Sequence, residues 1–147
     1  MIYKRLFATA AATVVAATAL VAGTAAPALA IATCNDMNYT NVRGTTDDFR
    51  IAPAYYNSSN WTLTFNCQLR QGNTGEGVEA LQRSLRYCYG YGLTLDGIFG
   101  TNTRNALVNT QRRVGTAADG IYGPNTRRAM KHASDDFTLS LGCKYID

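Results

Sequence analysis

One thirteen-residue phrase occurs twice in this chain of 147 residues. It reads Leu95-Asp96-Gly97-Ile98-Phe99-Gly100-Thr101-Asn102-Thr103-Arg104-Asn105-Ala106-Leu107, then Ala118-Asp119-Gly120-Ile121-Tyr122-Gly123-Pro124-Asn125-Thr126-Arg127-Arg128-Ala129-Met130. Eight of the thirteen aligned positions are identical at an offset of 23, and the pairs Phe99/Tyr122 and Leu107/Met130 are similar. A repeat of this length is one supersecondary unit, and what it encodes constrains the rest of the fold. Asp-Gly supplies residues that accept turn backbone, and Pro124 suits the first position of a helix, so each copy predicts a tight turn leading into a helix.

Residues 1–30 have the pattern of a signal peptide: Lys4 and Arg5 as the charged start, an Ala/Thr/Val-rich apolar stretch over 6–21, and Ala28-Leu29-Ala30 as the cleavage site. Cleavage after Ala30 is expected, with Ala30-Ile31-Ala32 as the second candidate. The remaining 117 residues (147 − 30) suffice for one domain with a modest core. They carry 12 basic and 10 acidic residues, a net charge of +2, too little for the concentrated basic stripe that nucleic acid requires. The expected location is secreted, in association with a cell wall, with no membrane contact after cleavage. Cys34, Cys67, Cys88 and Cys143 all lie in this part. An even count in a small exported domain, without paired Cys-x-x-Cys spacing, predicts two disulfides rather than a metal site. Three connectivities are open; Cys34–Cys67 with Cys88–Cys143 is the arrangement that would close the N-terminal extension and tie the tail to the first helix.

Residues 31–68 show no helical periodicity and are expected to be irregular, with one short strand near 61–65, where strict alternation puts Trp61, Leu63 and Phe65 on one face. Phe137-Thr138-Leu139-Ser140-Leu141 alternates in the same way, and the two are expected to pair. Between them Val78, Leu81, Leu85 and Cys88 mark a first helix, with Glu76 and Glu79 near its start. Ala106, Leu107, Thr110 and Val114 mark a second, and Ala129, Met130 and Ala133 a shorter third.

The segment Gly72-Asn73-Thr74-Gly75-Glu76-Gly77-Val78-Glu79-Ala80-Leu81-Gln82-Arg83-Ser84-Leu85, the two Asp-Gly-Ile-aromatic-Gly units and Gln111 together resemble the three-helix peptidoglycan-binding domain that accompanies many bacterial cell-wall hydrolases. The resemblance covers residues 69 to about 131. Two positions depart from the family pattern: Thr110 stands where it has a core Phe, and Arg127 where it often has Trp. The resemblance implies a mainly α fold with a compact three-helix core. The implied division is a signal peptide (1–30), an extension (31–68), a peptidoglycan-binding-like domain (69–133) and a tail with a short strand (134–147).

Catalytic chemistry is poorly supplied. His132 is the only histidine, so a His-rich zinc site or a nucleophile–histidine site has little to draw on. Glu76 and Glu79 lie where a helix start favours carboxylates. No enzymatic activity, cofactor or metal is expected. The expected function is non-catalytic binding of peptidoglycan by a secreted monomer, through Asp96, Gly97, Phe99, Gly100, Thr103 and Arg104 and their counterparts Asp119, Gly120, Tyr122, Gly123, Thr126 and Arg127. Helix N–H groups would hold stem-peptide carboxylates, while Phe99 and Tyr122, each packed on the arginine five residues later, would contact sugar. On that reading, replacing both rings by Ala spares the fold and abolishes wall retention. The alternative function is a secreted interaction protein, an inhibitor or regulator of an extracellular enzyme, acting through residues 50–61 with Tyr55, Tyr56 and Trp61.

Overall fold

A computed structural model describes residues 30–45, 49–134 and 142–147. The element order is β1 (Asp36–Asn41), β2 (Phe49–Asn57), β3 (Thr62–Thr64), α1 (Glu76–Tyr89), α2 (Thr101–Val114) and α3 (Pro124–Ala129). The signal peptide and the alternating segment 137–141 lie outside the described residues.

The helices arise where periodicity placed them. Val78, Leu81 and Leu85 turn one face of α1 into the core, and Glu76 and Glu79 occupy its first turn. Gly90 ends it in the left-handed region at φ 79, where its N–H reaches Arg86 O. Leu107 and Ala106 do the same for α2, which stops at Gly115, φ 77. The third helix is shorter than expected, because Met130 is already extended and Ala133 lies beyond it.

The expectation of a mainly α fold with an irregular extension is incorrect. The extension forms a three-stranded antiparallel sheet in the order β1-β2-β3, and α1 packs against both β1 and β2 as well as α2, so the architecture is α+β rather than a plain three-helix bundle. Two features of β2 conceal it from pattern reading. Residues 50–54 are buried without interruption, which erases period-two alternation, and they include Arg50 and Pro53. The geometry accommodates Pro53. Ile51 donates its N–H to Ala133 O, away from β1, so position 53 also directs its nitrogen to that side, and β3 pairs with β2 only from Tyr55 onwards.

The strand near 61–65 is real but short, and its partner is β2 through Tyr55↔Thr64, Tyr56↔Leu63 and Asn57↔Thr62. Its apolar face is not buried as expected: Leu63 and Trp61 are exposed. Trp61 belongs to the preceding turn.

Several ties fasten sheet and helices into one body. Cys34–Cys67 and Cys88–Cys143 are the two disulfides. Gln68 lies beside Thr33 in a parallel bridge, and Val42 opposes Ile146. Gly77 lets α1 approach the start of β1 closely: a Cβ there would stand 3.0 Å from Cys34 O and 3.2 Å from Asp36 O, so no larger residue fits. The core gathers Cys34, Cys67, Leu69, Val78, Leu81, Leu85, Phe99, Leu107, Tyr122 and Met130. Thr110 and Arg127, the two departures from the family pattern, are both buried, with the Thr110 hydroxyl and the Arg127 Nε and Nη1 making no hydrogen bond among the described residues. Each puts polar atoms where an aromatic would be apolar, a cost the core carries.

Candidate ligand-binding site

Each copy of the repeat is organised by a glutamine from the preceding helix. Gln82 of α1 donates from Nε2 to Asp96 Oδ1 (2.8 Å), Ile98 O (3.0 Å) and Thr103 Oγ1 (3.2 Å), and its Oε1 accepts from Gly97 N (2.9 Å). Gln111 of α2 repeats the pattern on Asp119 Oδ1 (2.9 Å), Ile121 O (2.9 Å), Thr126 Oγ1 (3.1 Å) and Gly120 N (2.9 Å). One buried amide thus joins a turn carboxylate, a turn carbonyl, a helix hydroxyl and a glycine N–H. Asp96 and Asp119 close their turns further by accepting from the N–H two residues on, Ile98 and Ile121. The Asp96 carboxyl is held below its ordinary range, first by the Gln82 bond and then by the Ile98 N–H.

Gln82 and Gln111 were not among the expected site residues. The separation is 14 residues from glutamine to aspartate in the first unit and 8 in the second, so a comparison at fixed offset passes over them. Gly97 and Gly120 sit at φ 65 and φ 76, and both are crowded. A Cβ on Gly97 would meet Gly75 O at 3.0 Å, and one on Gly120 would meet Arg104 Cγ at 3.0 Å. Arg104 therefore lies across the second turn.

The two rings face inward. Phe99 is 1% and Tyr122 0% exposed, so neither can present a face to a sugar, and the expected stacking by these rings is not available. The reason lies in the backbone. Phe99 exchanges hydrogen bonds with Asn73 O and Gly72 N, and Tyr122 with Leu69 O and N, so the segment before α1 clasps both units and turns the rings into the core. Tyr122 also meets His132, with 3.0 Å between its hydroxyl oxygen and Nε2. Arg127 is 9% exposed and does not project into solvent. Thr103 and Thr126 are buried on their glutamines, whereas Asp96, Asp119, Gly100 and Gly123 remain at the surface or partly so.

His132 has no exposure, and burial, followed by the charge of Arg127, pushes its imidazole down to about 3. Because the unfolded chain takes up the proton first, stability is complete above about pH 6.5 and falls as pH drops towards 3. No other histidine titrates in this window. Urea unfolding should therefore show a loss of about 2 kcal/mol between pH 7.5 and pH 5, before most carboxylates protonate. A flat profile over that interval would contradict a buried neutral His132.

What remains open to ligand lies beside the turns. A cleft of about 230 Å³ is bounded by Gln82, Asp96, Ile98, Gly100, Asn102 and Thr103 at the start of α2. An equivalent one of about 410 Å³, with Asp119, Ile121, Gly123, Asn125 and Thr126, stands at the start of α3. Gly100 and Gly123 cap these helices without a side-chain hydrogen bond, and neither first turn holds an acidic residue, in contrast to α1. The N–H groups and positive dipole end of α2 thus have neither a side-chain cap nor a first-turn carboxylate among the described residues.

The region that builds both clefts, residues 74–130, matches the sequence profile of the peptidoglycan binding domain. Through these residues the chain belongs to that family. The peptidoglycan-binding domain so defined takes in α1, α2, α3 and both glutamine-organised turns, and it leaves the sheet outside. Among solved structures, the chain is similar to the SleB N-terminal domain, at 39% identity over 42% of this chain and 85% of that one, with a TM-score of 0.41. It is similar to a peptidoglycan-binding protein from Clostridioides difficile in complex with glutamine hydroxamate, at 31% identity over 60% of this chain and 62% of that one, TM-score 0.41. A third is the Burkholderia AP3 phage endolysin, at 44% identity over 40% of this chain but only 22% of that one, TM-score 0.39. No curated protein matches the chain.

Proposed function

We propose that this protein is exported, by removal of residues 1–30, and binds bacterial cell-wall peptidoglycan without cleaving it. The observation that carries the reading is the family membership of residues 74–130 together with the pair of open clefts those residues form. A stem-peptide carboxylate is the group best matched to the α2 cleft, because the helix start offers N–H donors with no acidic residue in its own first turn, the Asp96 carboxylate on the cleft wall is engaged by Gln82 Nε2 and the Ile98 N–H, and Ile98, 55% exposed, adds an apolar edge. Non-catalytic action is supported by the fate of the sole histidine, which is buried against Tyr122 and away from both clefts.

Asn102 lies at the second position of α2, exposed and on the cleft wall. Asn102→Asp keeps the shape and adds a negative charge at the helix start. It should stabilise the fold by about 0.3–1 kcal/mol through the dipole and at the same time reduce retention on purified peptidoglycan. Opposite signs in thermal melting and in pelleting are the expected result. Unaltered pelleting by a variant that melts higher would remove the α2 cleft from the site.

A further inference from the structure

The chain's single tryptophan is out of place by ordinary standards of burial. Trp61 is 81% exposed, and it is the one non-glycine residue among those described with positive φ, at 56. An L side chain in the left-handed region is disfavoured, and exposing an indole to water recovers nothing. A residue that is unfavourable on both counts is a reason to look for what it does.

Its surroundings form a small platform. Tyr56 meets the indole edge-on, with ring centroids 6.4 Å apart and planes at 68°, an arrangement that leaves aromatic surface uncovered. Leu63, directly across the strand pair from Tyr56, is 41% exposed. The platform is held rigidly. Asn35 accepts from Tyr56 N at 2.8 Å and donates to Tyr56 O at 3.0 Å, and its neighbour Cys34 is bonded to Cys67 just beyond β3. At the tip, Asn57 Oδ1 accepts from Ser59 N and Asn60 Oδ1 from Thr62 N. The carbonyl ends of both amides are thereby used, and their NH2 ends make no bond among the described residues.

Charge narrows the ligand class. No Asp, Glu, Lys, Arg or His occurs from residue 56 to 66. An uncharged tip with one ring face open and amide donors beside it suits a neutral pyranose, whose C–H face packs on an aromatic while hydroxyl and N-acetyl oxygens accept hydrogen bonds. A protein partner fits less well, since a stable protein interface needs on the order of 800 Å² per side, more than three side chains at a hairpin tip provide.

We propose that the β2–β3 hairpin is a second binding site, outside the peptidoglycan-binding domain, where Trp61 stacks on an N-acetylhexosamine ring of a neutral glycan chain. Held on the same body as the α2 cleft, it would raise retention on a polymer by avidity, although glycan binding at the hairpin does not depend on that cleft. The experiment is a titration of the disulfide-bonded protein with chitotetraose, followed by tryptophan emission, which reports Trp61 alone. A saturable change in emission is expected, with Asn102→Asp responding like the wild type. By calorimetry, Trp61→Ala should weaken binding about tenfold, the equivalent of one lost stacking contact. Circular dichroism should show Trp61→Ala folded, and Trp61→Gly, relieved at φ 56, melting no lower than the wild type. Emission unmoved by saturating tetramer, or undiminished calorimetric binding in Trp61→Ala, overturns the proposal. The tetramer carries no peptide, so a response without peptidoglycan pelleting would sink the wall-binding reading and not this one. Pelleting without a response would do the reverse.

Discussion

Alanine at Phe99 or at Tyr122 will cost about 3–5 kcal/mol of stability, the range for deleting a fully buried ring. Phe99 and Tyr122 are 1% and 0% exposed and belong to the same core cluster as Leu81, Leu85 and Leu107. Tyr122→Ala also leaves His132 Nε2 without its partner. A small domain has about 5–15 kcal/mol in hand, so the double variant should not fold. Urea unfolding of each single variant checks this. A wild-type midpoint in either would place the ring outside the core, as the sequence-based expectation of a sugar-contacting role required. Loss of wall retention in these variants would accordingly report unfolding and not a lost contact.

The second large effect belongs to the glutamines. Gln111→Ala removes four hydrogen bonds at once, strands the buried Gly120 N–H and leaves the buried Thr126 hydroxyl only its long bond to Ile121 O, 3.4 Å. With about 1–3 kcal/mol for each buried group left unpaired, the expected loss is about 3–5 kcal/mol, and Gln82→Ala should match it at the first turn. Gln111→Glu distinguishes network from volume. It keeps the shape but offers an acceptor to the Asp119 carboxylate and to Ile121 O, so it should be nearly as damaging as alanine. A Gln111→Ala variant within about 0.5 kcal/mol of the wild type would show that the turn does not depend on this amide.

The same two predictions mark where the sequence could and could not be read. Helices α1 and α2 were legible because Val78, Leu81 and Leu85, and Ala106 and Leu107, recur at helical spacing with glycine at each end. The two turns were legible because Asp-Gly has few other uses. The inward direction of Phe99 and Tyr122 was not, since an aromatic just ahead of a helix start reads equally well as a surface staple or a core residue. What decides it is the pairing of their backbones with residues 69–73, a contact between segments far apart in the chain.

The sheet was hidden for a different reason. β1, Asp36–Asn41, is polar and only partly buried along its whole length, so it offers no alternation, and β2 is buried on consecutive positions. In addition, Arg50 and Pro53 argue locally against the strand that contains them. Trp61-Thr62-Leu63-Thr64-Phe65 alternated as a strand should, yet its apolar face looks outward, because alternation gives two faces and does not say which one the core takes.

The most direct test of the central claim is co-sedimentation of the disulfide-bonded protein, lacking residues 1–30, with insoluble peptidoglycan stripped of teichoic acid, at low and high salt. Binding through a shaped cleft and a neutral platform predicts saturable pelleting that persists at high salt, where exposed charge–charge attraction is screened. Protein left in the supernatant at both salts, or pelleting only at low salt, would contradict it.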